Sequence, residues 1–202
     1  MTLDRRALIV SGMAVAAMPG LARAAQMPPL PGDHVMGSAK AKVQIVEYAS
    51  MSCSHCAHTA LEIMPAIKKR YIDTGKARLV FREFLTPPAD LAGAGFLLAN
   101  RVPPARYFEA VEAIFAAQHD MFQTGDYWGG LLGVAKRFGL TEAQLEATLN
   151  DKAALAALNG RVEAAAKRGI NSTPTFYING EEFVGELTVE DLAKAVDKAL
   201  KG

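Results

Sequence analysis

The chain holds two cysteines, three apart, in Cys53-Ser54-His55-Cys56. Residues i and i+3 on a helical turn are neighbours, and a disulfide needs Cα atoms roughly 4.4–6.8 Å apart, so a helical turn here brings the sulfurs within bridging reach. A bridge that closes so small a loop constrains the unfolded chain little, which makes the pair a poor staple and a good redox switch. Cys53 falls in the first helical turn, where unsatisfied N–H groups and the positive end of the helix dipole favour an anion and lower a thiol pKa. Cys56, one turn on and on the apolar face, is the less exposed sulfur. That assigns attack to Cys53 and resolution of a mixed disulfide to Cys56. His55, between them, can add charge or a hydrogen bond to the thiolate and so stabilise the reduced form. Two other readings stay open on spacing alone. With His55 and His58 nearby the pair could be half of a zinc site, although no second Cys pair completes the common tetrahedral sets. An inert structural pair is also compatible with the spacing.

The elements that must position these sulfurs follow from periodicity. Val43-Gln44-Ile45-Val46-Glu47-Tyr48 alternates and is β-branched, a first strand. After it Cys56, Ala60, Ile63, Met64, Ile67 and Tyr71 keep helical spacing, and Pro65 is expected to bend or break that helix. Asp73-Thr74-Gly75-Lys76 is turn chemistry, and Ala77 to Phe84 is a second strand with Leu79 and Phe81 on one side. Residues 89–168 carry no strand pattern. Pro103-Pro104 marks a helix start, with Tyr107, Val111, Ile114 and Phe115 on one face. Thr141-Glu142-Ala143-Gln144 is a capping box, and Asn159-Gly160 is a weak point in the Ala-rich run from Asp151 to Arg168. Strand character returns at Thr175-Phe176-Tyr177-Ile178, followed by an Asn179-Gly180 hairpin turn and Glu182-Phe183-Val184. Thr188 caps a last amphipathic helix bearing Leu192, Ala195, Val196 and Ala199. A parallel crossover followed by an antiparallel hairpin makes an α/β fold with a mixed sheet and a helical unit inserted in the middle. The expected divisions are a Pro- and Gly-rich leader over 25–42, sheet segments over 43–86 and 169–202, and the insertion over 87–168.

Of the 202 residues half are apolar, and 22 basic side chains nearly balance 21 acidic ones. That balance argues against a nucleic-acid binder, which needs a basic face. The first residues read as an address: Arg5-Arg6, an apolar stretch from Ala7 to Met18, then Ala22-Arg23-Ala24 as a small-x-small cleavage pattern. Residues 1–24 are thus expected to be an export signal, by the twin-arginine or the general route, with a retained anchor as the alternative. Its removal takes the formal charge from +1 to −1, so no long-range electrostatic selection of partners is implied.

Val43 to Phe84, the helical insertion and Gly169-Ile170-Asn171-Ser172-Thr173-Pro174-Thr175-Phe176 together resemble the DsbA family of periplasmic thiol:disulfide oxidoreductases, over about residues 36–201. The resemblance implies a thioredoxin-like fold with an inserted all-helical domain, a cis Pro174, and a Thr173 backbone that pairs with the substrate strand and orients it against Cys53. It also implies an acid at Glu47 that sits beneath the helix and takes a proton during exchange. Alternation alone equally allows Glu47 to face solvent, whereas burial among Ile45, Val46 and Tyr48 is costly for an acid without a partner or a role. One departure is Ser54, where the best-known type carries Pro. The two residues between the cysteines tune the reduced form, so Ser54 bears on oxidising strength rather than on fold. The implied partners are reduced exported polypeptides and a quinone-linked membrane protein that re-oxidises the pair, with no cofactor and no metal. Isomerase or reductase relatives often carry an N-terminal dimerisation domain, and residues 25–42 are too short for one, which favours a monomeric oxidase in the periplasm. The rival readings are an isomerase or reductase working reduced, and a periplasmic chaperone or metal-binding protein. His34, His58 and His119 read as surface or supporting residues. Trp128 with Phe122, Tyr127, Leu131 and Leu132 reads as insertion core, and Met51 as part of an apolar rim for unfolded substrates.

Overall fold

The computed structural model describes residues 26–202, so the export signal expected over 1–24 lies outside the described residues. Five strands form one mixed sheet: β1 His34–Gly37, β2 Val43–Ala49, β3 Ala77–Glu83, β4 Thr175–Ile178 and β5 Glu181–Val184. Their spatial order is β1-β3-β2-β4-β5, with β2 and β3 parallel and every other pairing antiparallel. β2 is buried along all seven residues, as a central strand covered on both faces must be. The leader over 25–42 is not wholly irregular: His34–Gly37 pairs with Phe81–Arg78 as an edge strand. Four residues with alternating half-exposure give too short a pattern to stand out between turns.

Helices α1 Ser54–His58 and α2 Met64–Ile67 carry the crossover from β2 to β3. The coil stays helical throughout, because Thr59–Ile63 and Lys68–Ile72 run as wider π turns. Pro65 does not end this stretch, but the regular α-helix gives way to a π turn just before it, where the Met64 N–H reaches back five residues to the Thr59 carbonyl. The wider turn accommodates the ring and the missing N–H. Between β3 and β4 lie α3 Ala89–Arg101, α4 Tyr107–Thr124, α5 Tyr127–Arg137, α6 Glu142–Leu149 and α7 Lys152–Lys167. Pro104–Arg106 forms a 3₁₀ turn that leads into α4, and the capping box at Thr141 is complete in both directions. α7 runs through Asn159-Gly160 unbroken: buried Leu158 and Ala165 anchor it on either side, outweighing the roughly 1 kcal/mol that Gly costs against Ala. At the hairpin Asn179 and Gly180 both have positive φ, 46° and 90°, the conformation that the Asn-Gly pair favours. α8 Val189–Lys201, capped by Thr188, closes the chain.

One sheet face packs Val43, Ile45, Leu79, Phe176 and Ile178 against Ile63, Ile67 and Tyr71 and against Leu192 and Val196 of α8. On the other face Val46, Tyr48 and Val80 meet Ala165 and Ile170. A third core fills the helical unit and continues through Ala49, Met51, Cys56 and Ala57. The end of β2 and the start of α1 are therefore set in the core of the inserted helices. Trp128, Phe122 and Tyr127 do not belong to that core: Trp128 is 42% exposed and its two neighbours are nearly as open. They sit at the tip where α4 turns into α5, and Leu131, one turn on, is the first of the group to be fully enclosed.

Candidate active site

Cys53 closes a tight turn, its N–H bonded to the Ser50 carbonyl at 3.0 Å, and becomes the cap residue of α1 rather than a member of its first turn. The sulfur takes the place of a capping oxygen and accepts the Cys56 N–H at 3.4 Å. It also lies 3.4 Å from the Thr173 carbonyl oxygen. The hydrogen bond from the Cys56 thiol, helped by the backbone N–H groups of Cys56 and His55 and opposed by partial burial, brings the Cys53 thiol down to about 5. Cys56 is fully buried, and burial together with the neighbouring Cys53 pushes its thiol well up. Both thiols are free in this structure. Two chemically identical side chains thus have opposite acidities.

Glu47 lies on β2 opposite Phe176 and is 2% exposed, which rules out the solvent-facing reading. It lines a small cavity with Ala60 and Met64 from the helical crossover, and among the described residues its Oε1 has no hydrogen-bond partner. Burial, and then the charge on Cys53, raise its carboxyl to about 8. Thr173–Pro174 is a cis peptide, and the Pro174 carbonyl accepts the Gly185 N–H at 2.9 Å. Among the described residues the buried hydroxyls of Ser172 and Thr173 meet no partner within hydrogen-bond distance. Cys53, Cys56, Glu47, Thr173 and Pro174 thus come together from β2, α1 and the segment before β4.

Ser54 and His55 are exposed on the opening turn of α1. The His55 ring makes no hydrogen bond among the described residues, so its contribution to Cys53 is its backbone N–H. His58 pairs with Glu186 at 2.8 Å, and His119 lines a groove beside Ser54. His34 is half-buried: it bonds Asn100 at 2.7 Å, stacks on Tyr107 and has its pKa lowered by burial. Met51 is buried against Gly95 instead of forming an exposed rim. Among the described residues no three His, Cys, Asp or Glu side chains converge as a metal site.

Sequence reasoning missed the polar struts of the reactive loop. The Ser50 hydroxyl accepts the Thr86 N–H at 3.1 Å, and the Ser52 hydroxyl donates to the Thr86 carbonyl at 2.7 Å. Gln118 of α4 donates to the carbonyls of Met51 and Cys53. The only local hint is Ser50 and Ser52 flanking the motif; Thr86 and Gln118 are too distant in the chain to signal themselves.

A thioredoxin family model matches residues 30–198. A protein of Rickettsia conorii named as a protein-disulfide oxidoreductase is 33% identical over 171 residues, 84% of this chain, and the match spans 61% of that relative's length. Disulfide bond formation protein D of Bacillus subtilis is 26% identical, the match covering 87% of this chain and 80% of that protein. The crystal structure of alpha-DsbA1 from Wolbachia pipientis superposes with a TM-score of 0.75 at 26% identity, covering 86% of this chain and 93% of the other. A dithiol at the cap of a helix, beside a cis-proline and on a mixed sheet with a helical insertion, sits within the fold these matches share. The chain belongs to the DsbA family of the thioredoxin superfamily.

Proposed function

We propose that this protein is a thiol:disulfide oxidoreductase working as an oxidase, with Cys53 and Cys56 as its redox pair. The observation that carries the reading is the split in acidity, a Cys53 thiol drawn down to about 5 beside a Cys56 thiol pushed well up. In the oxidised form a substrate thiolate attacks the Cys53 sulfur, the Cys53–Cys56 bond breaks, and Cys56 leaves with the electron pair. Glu47, held neutral by burial, supplies the proton that Cys56 takes up. A second substrate thiolate then attacks the substrate sulfur of the mixed disulfide, and Cys53 departs as a stabilised thiolate. The substrate is oxidised by two electrons and the protein is reduced. A stabilised Cys53 thiolate favours the reduced protein and so makes the disulfide a strong oxidant.

Thr173 and Pro174 orient the substrate backbone beside Cys53, and Ser54 tunes the potential. Residues 1–24 direct export to the periplasm, residues 43–86 and 169–202 form the thioredoxin-like domain, and residues 87–168 are its inserted helical domain. The substrates are reduced exported polypeptides, a quinone-linked membrane protein restores the disulfide, and the protein acts as a monomer. The test is alkylation of the reduced protein across pH, joined to redox equilibration with glutathione. The expected midpoint for Cys53 is near 5, with a potential above about −180 mV. An unshifted thiol titration overturns the reading, and a potential near that of thioredoxin, about −270 mV, moves it to a reductase.

A further inference from the structure

Gln118 lies in α4, far along the chain from the reactive motif, yet only 3% of it is exposed. Its Nε2 donates to the Met51 carbonyl at 2.8 Å and to the Cys53 carbonyl at 3.3 Å. A buried amide is costly unless its polar atoms are bonded, and here both donations end on the reactive loop. The two carbonyls belong to the peptide planes on either side of the Ser52–Cys53 unit, so holding them fixes the direction in which Cys53 projects its sulfur. That direction decides whether the sulfur stays within 3.4 Å of the Cys56 N–H. The loop is tied on its other flank through Ser50 and Ser52 to Thr86, and Gln118 supplies its polar tie to the inserted helices.

We propose that Gln118 is a positioning residue for the Cys53 thiol, through which the inserted helices set the acidity of a sulfur they do not themselves carry. The proposal rests on the reading of Cys53 as the sulfur that forms the mixed disulfide with substrate and leaves as a stabilised thiolate. When the tie is lost the Met51 carbonyl is released and the Cys53 carbonyl keeps its helical bond from the Ala57 N–H at 3.1 Å, so the loop ahead of the cap loosens and the thiolate loses part of its N–H support.

Gln118→Met keeps nearly the same length and removes both donors. In the reduced protein it is expected to raise the Cys53 alkylation midpoint by about one pH unit. The dithiol/disulfide equilibrium with glutathione then moves about tenfold toward the disulfide, about 30 mV for the two-electron couple. Gln118→Asn keeps the amide one carbon short of the carbonyls; it moves both readouts in the same direction and serves where the methionine variant does not fold. Val134→Ala, a buried change on α5 that removes no polar contact, lowers thermal stability and leaves both readouts at wild type. Lowered stability of both Gln118 variants with midpoint and equilibrium unchanged overturns the proposal and leaves the redox reading standing. A wild-type Cys53 that titrates as an ordinary thiol overturns both.

Discussion

Replacing Glu47 by Gln should stabilise the reduced protein, by an amount that depends on pH. In the folded protein the carboxyl is raised from 4.5 to about 8, first by burial and then by the Cys53 charge. Between those values the folded state holds a proton that the unfolded chain has released, so stability falls as pH rises through the window. The part of the window below pH 7, at about 1.4 kcal/mol per pH unit, gives a cost of about 3 kcal/mol at pH 7. Gln cannot ionise and escapes this cost. Its amide inherits the same unpartnered position as the protonated acid, a penalty that does not change with pH. Urea unfolding of the two reduced proteins should therefore differ by a constant near pH 4. The variant should gain about 3 kcal/mol relative to that baseline by pH 7, and about 5 kcal/mol beyond pH 8. The gain should be smaller between the disulfide forms, where Cys53 carries no charge. Parallel stability curves for wild type and variant from pH 4 to 8 would refute the raised carboxyl, and with it the proton-donating role of Glu47.

Gly95→Ala places a Cβ 2.8 Å from the Met51 Cβ and 2.9 Å from its Cγ. Overpacking of this kind costs about 1–3 kcal/mol, so a lower melting temperature is expected. Because Met51 is part of the reactive loop, slower alkylation of Cys53 at pH 6 should accompany it; an unchanged melt would mean that the α3 contact is slack. Arg82 forms a buried, two-pronged pair with Asp33 at 2.8 and 2.9 Å and also bonds the Tyr48 hydroxyl and the Pro28 carbonyl. Arg82→Met strands the Asp33 charge and should cost about 3–5 kcal/mol by urea titration. The double change with Asp33→Leu should recover most of that loss, and no recovery would place the effect in packing instead.

What the chain disclosed by itself was local. The Asn179-Gly180 turn, the Thr141 capping box and the Thr188 cap each act over three or four residues and have their expected place in the structure, and the Cys-x-x-Cys motif starts its helix one residue later than expected, with Cys53 as the cap. What stayed hidden depends on partners far away in the chain. β1 is a strand because β3 receives it, Trp128 is open at the start of α5, and Met51 is buried because Gly95 leaves room. The same division runs through the reactive pair. Cap position, a local property, supplies the N–H groups that favour a thiolate at Cys53. The contrast with Cys56 is not local: that sulfur is enclosed by a core built largely from the inserted helices, with Glu47 from β2 adding to the rise in its pKa. Moving the motif with its own helix to another sheet would then preserve the cap at Cys53 and lose the enclosure of Cys56. The asymmetry between the two sulfurs belongs to the joint between sheet and insertion, where the Gln118 and Met51 contacts lie.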